Sequence, residues 1–222
     1  MTTRHERTDP AVVAGQAVYT PRMLDVYDLV VLGLSSPLIW KCPPQRLLDR
    51  YNDHVSDRHL EIGVGTGWFL DHCQFPSGQP QITLLDLNLT CLARTASRIR
   101  RYDPKCVCAN VLEPFQLETG PFTSIGINYV LHCLPGSMEQ KAVVFDHIRP
   151  FLAPGGVVFG STLLARGIQR SRMARVLMGF YNSKGIFSNE QDCAEDLRRE
   201  LAARFEQVRV ETIGCAALFA AR

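Results

Sequence analysis

Three glycines at alternate positions, Gly63, Gly65 and Gly67, follow directly on the apolar run 58–62, and no other stretch so narrows what the chain can become. A short apolar run that stops at glycine predicts a buried strand over 58–62 entering a sharp turn. Glycine there admits positive φ and leaves room for another molecule against the main chain, where a Cβ atom would otherwise stand. Beyond the turn, 67–74 reads as a helix whose first N–H groups face whatever the turn holds. Strand, bare turn and helix N-terminus together describe a ligand cradle.

The pattern downstream repeats the alternation. Strands are expected at 81–86, 105–109, 124–131 and 156–162, with helical stretches at 88–102 and 137–151 between them. Strands alternating with helices predict βαβ units and a mostly parallel sheet covered on both faces. Helices follow near 167–180 and 189–203, and residues 204–222 read as two strands around a tight turn at Thr212–Gly214, an antiparallel pair. Upstream, helices are expected at 21–34 and at 43–55, the second opening on proline, which suits a first helical turn. The fold class is therefore α/β: a Rossmann-like, seven-stranded, mostly parallel sheet with a C-terminal antiparallel strand. A domain over 45–222 is preceded by a helical segment over 1–44.

Composition excludes several classes of partner. The 222 residues, 46% hydrophobic and 21% charged, suit one buried core. Twenty-four basic and 22 acidic residues nearly cancel to +2, with no long run of either sign, so no nucleic-acid partner is expected. The longest apolar stretches, 29–34 and 215–221, are far short of the roughly 20 residues of a membrane-spanning helix. The N-terminal residues lack the apolar core of a signal peptide, and a cytoplasmic location is expected. The eight cysteines read mostly as reduced packing residues, and no zinc-ligand spacing predicts a metal site.

The glycine turn is not a dinucleotide fingerprint, because Gly-x-Gly-x-x-Gly would need glycine where Trp68 stands. Nor is it a phosphate loop, since no Gly-Lys-Ser/Thr follows. Two acids sharpen the reading. Glu61 lies two residues before Gly63, where a carboxylate reaches an amino-bearing part of a ligand or the glycine loop itself. Asp86 ends the second strand, 19 residues after Gly67, where an acid accepts hydrogen bonds from both hydroxyls of a ribose.

With these residues in place the chain resembles the class I S-adenosylmethionine-dependent methyltransferases that act on small molecules. Leu-Glu-Ile-Gly-Val-Gly-Thr-Gly (60–67) matches their acidic glycine loop, and Asp86 their ribose-binding acid. Ala109-Asn110 stands where these enzymes often carry Ala-Asp against the adenine. Tyr-Val-Leu-His-Cys-Leu-Pro (129–135) and Leu-Ala-Pro-Gly-Gly (152–156) match their fourth-strand end and the turn before the fifth strand.

The resemblance implies S-adenosylmethionine as cofactor, held by Glu61, Gly63, Gly65, Thr66, Gly67, Asp86, Leu87, Asn110, Val111, Asn128 and Tyr19. It also implies that the segment over 1–44 closes over the cofactor, and it makes Tyr27 a second aromatic near the methionine end. His132 is the candidate general base, because the fourth-strand end faces the transferred methyl and imidazole takes a proton near neutral pH. The loop 180–189, which mixes aromatics with amides, is a candidate acceptor lid.

Two departures qualify the match. Phe122-Thr123 replaces the usual Phe-Asp of the fourth strand, and no Asn/Asp-Pro-Pro-Tyr/Phe follows it. The second departure argues against methylation of DNA or protein nitrogens and favours a small-molecule acceptor, attacked at O, N or C. A homodimer is compatible with this reading. Two alternatives stand beside it: an S-adenosylmethionine-binding regulator without turnover, and a nucleotide-dependent oxidoreductase on a related fold.

Overall fold

Seven strands form one sheet in the order β3-β2-β1-β4-β5-β7-β6 in the computed structural model, which describes residues 28–222. The strands are β1 (Arg58–Ile62), β2 (Gln81–Asp86), β3 (Lys105–Cys108), β4 (Phe122–Asn128), β5 (Leu152–Leu163), β6 (Val208–Ile213) and β7 (Ala216–Ala221). The first five are parallel, and β7 runs antiparallel between β5 and β6. From β1 the chain builds outward to β2 and β3, then returns to the other side of β1 for β4. That reversal opens a crevice at the carboxyl ends of β1 and β4, where open α/β sheets take their ligands.

A leading helix of π register (Asp28–Ile39) precedes α1 (Pro44–Asn52), α2 (Trp68–His72), α3 (Leu89–Arg98), α4 (Met138–Lys141), α5 (Val143–Ile148), α6 (Arg172–Ser183) and α7 (Ala194–Ala202). Alternation along β1 divides the core. Leu60 and Ile62 face Ile125 and Ile127 of β4 and the apolar sides of α4, α5 and α7. On the opposite face Tyr51 of α1, Leu70 of α2 and Leu92 of α3 cover Ile82, Leu84 and Phe159. Each fully buried side chain of this size contributes about 1.5–3 kcal/mol relative to exposure.

Element ends differ from the sequence expectation for local reasons. β4 stops at Asn128 because Tyr129 takes a left-handed φ of 55° and residues 131–133 wind into a 3₁₀ turn. The helix expected over 137–151 is divided at Ala142 and tightens over 149–151, where Pro150 stands. β5 begins at Leu152, so it absorbs the Pro-Gly-Gly expected as a turn. α6 starts at Arg172 because the Ser171 side chain caps it, accepting from Ala174 N–H.

The C-terminal hairpin turns at Gly214–Cys215 and not at 212–214. Gly214 carries the positive φ and lies against the main-chain carbonyls of Trp40 and Lys41, where no Cβ fits. Cys215 N–H then donates to Trp40 O (2.7 Å).

All eight cysteines are free; Cys42, Cys73, Cys91 and Cys215 are packing residues, whereas Cys106 and Cys108 are exposed on the edge strand β3. Among the described residues no helix is long and apolar enough to cross a membrane. Tyr19, Tyr27 and the start of the helix expected over 21–34 lie outside the described residues.

Candidate functional site

The turn after β1 is built as its glycines require. Gly63, Gly65 and Gly67 have φ of 68°, 53° and 72°. A Cβ on Gly63 would collide with the Val130 side chain, so the chain beyond β4 packs onto the turn only because that side chain is missing. A Cβ on Gly65 would meet nothing within 4 Å, which leaves its surface open to the crevice. Gly67 instead lies against Thr95 of α3, whose hydroxyl reaches the carbonyls of Val64 and Gly65.

A cleft of about 1070 Å³, its open mouth included, lies over the turn. Of the residues expected to hold a cofactor, Glu61, Gly63, Gly65, Thr66, Asp86, Leu87, Asn110, Val111 and Asn128 line it, and Gly67 does not. Trp68, Phe69 and Asn88 also line it and were not expected to, while Tyr129, Val130, Cys133 and Leu134 bring in the end of the fourth strand. Its walls are therefore mostly apolar, with a few convergent polar groups, as small-molecule sites generally are.

Those polar groups differ in what they have left to offer. Asp86 ends β2 and accepts Asn88 N–H on Oδ1 (2.8 Å). Burial raises its pKa above the ordinary aspartate value, against the lowering effect of main-chain N–H groups of Asn88, Val64, Gly65 and Leu87. Asn88, not Asp86, caps α3 by accepting from Thr90 and Cys91 N–H, so Asp86 is released from that duty.

Asn128, at the end of β4, accepts the Ser161 hydroxyl on Oδ1 (3.1 Å). Its buried Nδ2 has no hydrogen-bond partner among the described residues. A buried donor left so costs about 1–3 kcal/mol, which a ligand oxygen would recover. Asn110 spends its amide locally: Nδ2 donates to Glu113 Oε1 (2.6 Å) and Oδ1 accepts Leu112 N–H (3.1 Å). The Thr66 hydroxyl is likewise committed, donating to Asp28 Oδ1 (2.5 Å).

Asp28 is held from a second side by Arg98, whose Nη1 donates to Oδ2 (2.6 Å). Further along the leading helix, Ser36 Oγ lies 3.2 Å from Tyr129 Oη. The leading helix is thus tied to the rim of the cleft at both ends.

His132 lies one layer back. Its neighbours Cys133 and Leu134 line the cleft, while its own ring is buried edge-on against Phe187, with centroids 4.6 Å apart. Nδ1 accepts Leu163 N–H (3.3 Å), which places the imidazole proton on Nε2. Burial first, and then the charge of Lys141, push its pKa down to about 3, so the ring is neutral.

The loop 184–192 is clamped beside it. Ser188 N–H donates to His132 O (2.8 Å), and the buried Asn189 is clasped by Asn182 and donates to Leu163 O. Among the described residues no group of three or more His, Cys, Asp or Glu could hold a metal ion.

Comparison with known proteins gives this geometry its context. A family model described as a methyltransferase domain matches residues 60–158, the span from β1 into β5. Demethylluteothin O-methyltransferase of Streptomyces thioluteus is 43% identical, over 96% of this chain and 93% of its own. The physcion biosynthesis cluster O-methyltransferase of Aspergillus chevalieri is 36% identical, over 93% and 94%. Among solved structures the DhpI-SAH complex superposes with a TM-score of 0.70 over 97% of this chain and 98% of that one; at 14% identity the likeness is one of fold.

Proposed function

The chain belongs to the class I S-adenosylmethionine-dependent methyltransferases of small molecules, and on that premise we propose that it methylates a hydroxyl oxygen. The observation that carries the choice of oxygen is the full-length match to relatives named for O-methylation. Bound S-adenosylmethionine supplies an electrophilic methyl group on a sulfonium. Everything else falls to the protein.

Asp86, freed from capping and lying beside the glycine turn, accepts the ribose hydroxyls. Glu61 and the unpartnered Asn128 Nδ2 sit on adjacent strands of one sheet face, an anion and a donor suited to the ammonium and carboxylate of an amino acid. Asn110 keeps its side chain for its own turn, so any hold on the adenine there comes from its main chain and from the apolar surface of Val111 and Leu87. The tie of Asp28 to Thr66 supports a leading segment that covers the cofactor. Apolar walls exclude water from the acceptor oxygen, and orientation with desolvation accounts for most of the rate.

In this reading His132 supports the pocket and does not act as the general base. A ring with pKa near 3 and Nδ1 already engaged has neither the basicity nor the lone pair to deprotonate a hydroxyl. The acceptor therefore enters as the anion of an acidic phenol or enol, its proton already given up to bulk solvent before the cleft excludes water. His132→Asn is expected to lower thermal stability while leaving the shape of the rate-pH profile intact; disappearance of a limb of that profile would restore the base.

The oxygen assignment is tested by supplying methyl-labelled S-adenosylmethionine with matched phenols, enols, amines and thiols and identifying products by mass and NMR. Label appearing as a methyl ether is expected. Label on nitrogen or carbon, with phenols and enols inert, would overturn it.

A further inference from the structure

Glu61 is a carboxylate 4% exposed at the floor of the cleft, and a buried carboxylate is costly unless it is held. It is held from three directions. Tyr51 of α1 donates its hydroxyl to Oε2 (2.9 Å), and His59 Nε2 lies 3.0 Å from the same oxygen. Burial and the Glu61 charge keep the Tyr51 phenol protonated, and therefore a donor.

His59 is fully buried and is itself oriented. Its cross-strand partner Ser124 lies 2.8 Å from Nδ1 and accepts Ser56 N–H (3.0 Å), while Nε2 lies 3.0 Å from both Glu61 Oε2 and Tyr51 Oη, so the ring is fixed at both nitrogens. The third direction is an absence. Gly126 pairs with Glu61 across β1 and β4, and a Cβ there would collide with Glu61 Oε2 and come within 3.2 Å of Glu61 Cδ and His59 Cε1. Glycine inside a strand weakens it, so its presence marks a close approach, here that of the carboxylate.

None of these three residues lines the cleft, yet all are committed to one carboxylate that does. Packing alone would be served as well by an apolar cluster, because replacing buried polar groups with apolar ones of similar shape is often neutral or stabilising. We propose that Tyr51, His59 and Gly126 are positioning residues that fix Glu61 as the anion for the α-ammonium of the cofactor's amino acid. The proposal rests on the S-adenosylmethionine reading of the cleft. Both neighbours bond Oε2, so the carboxylate cannot swing without breaking two hydrogen bonds, and the ammonium meets an acceptor already in place.

The test compares two ligands that share the adenosine and thioether but differ in the amino acid: S-adenosylhomocysteine, which has it, and 5′-methylthioadenosine, which does not. Affinities are measured by calorimetry on the full chain for wild type, Tyr51→Phe, His59→Gln and Gly126→Ala. Tyr51→Phe keeps the ring stacked on Phe69 and edge-on to Phe159, so it removes the donor and spares the packing.

Each variant is expected to lose about tenfold in affinity for S-adenosylhomocysteine, the scale of one hydrogen bond to a charged group, with affinity for 5′-methylthioadenosine unchanged. A parallel loss for both ligands would mean a merely structural role and overturn the proposal, as would no loss for either. A loss for S-adenosylmethionine that S-adenosylhomocysteine does not share would shift the effect to the sulfonium and overturn it too. If wild type bound neither ligand, the cofactor reading itself would fail, an outcome distinct from these.

Discussion

Lys141→Ala is expected to cost about 3–5 kcal/mol of folding stability, a fall in melting temperature of roughly 10 °C for a domain of this size. The Lys141 and Asp192 side chains are 0% and 1% exposed, and Nζ reaches both carboxylate oxygens (2.9 and 2.7 Å) and Ser188 O (2.5 Å). Burial lowers the lysine pKa and raises the aspartate pKa, so each charge depends on the other to remain ionised. Deleting the lysine leaves a carboxylate without its counter-ion in a dry site. The double variant Lys141→Met, Asp192→Leu removes both charges and is expected to recover most of the loss.

Calorimetric melting of the three proteins decides the matter. A single variant within 1 kcal/mol of wild type would mean that the pair behaves as a solvated surface bridge. The effect also reaches the site. Asp192 O accepts Ala165 and Arg166 N–H, and Ser188 is bonded to His132, so losing the clamp loosens the support behind the cleft before the fold itself is lost.

Asp86→Ala is expected to weaken S-adenosylhomocysteine binding on the order of 100-fold, the loss of two hydrogen bonds to a charged acceptor less the water that replaces them. Asp86→Asn, which keeps one acceptor, is expected to fall between. Only the ionised carboxylate can accept from both hydroxyls. Affinity should therefore be full above the Asp86 pKa and decline as pH falls through it, and burial sets that decline above the usual aspartate range. In Asp86→Asn this decline disappears. Titration calorimetry across mildly acidic pH reads both effects; an unchanged affinity in the alanine variant would remove Asp86 from the ribose site.

The sheet was legible because its signals are local. Apolar runs of strand length end at glycine or an acid, and β1 and β2 fall where the periodicity puts them. The glycine turn and Asp86 were legible for the same reason: their spacing is a property of one βαβ unit. What was not legible depends on partners distant in sequence. Asn110 is the local exception, its amide taken up by Leu112 and Glu113 two and three residues on, whereas the burial against Phe187 and the charge of Lys141 that lower the His132 pKa come from elsewhere in the chain. Gly126 carried the one signal that was available, glycine inside a strand, but its meaning lay in the side chain of the neighbouring strand. That Cys106 and Cys108 are exposed was not legible either, because an apolar strand does not announce that it lies at a sheet edge.

The position of β7 has a consequence for how the protein is made. β5 is twelve residues long and buried along most of its length, yet the strand that pairs with its outer side begins 53 positions (216 − 163) further along the chain. Until residues 216–221 leave the ribosome, β5 presents an open row of main-chain donors and acceptors, a template for pairing with other chains. The same late residues bring Cys215 to Trp40, a contact spanning 175 positions (215 − 40), and such distant contacts close slowly. A chain cut before residue 216 therefore loses more than one strand: its sheet stays open at β5, and the nascent protein is most prone to aggregate in the moments before β7 arrives.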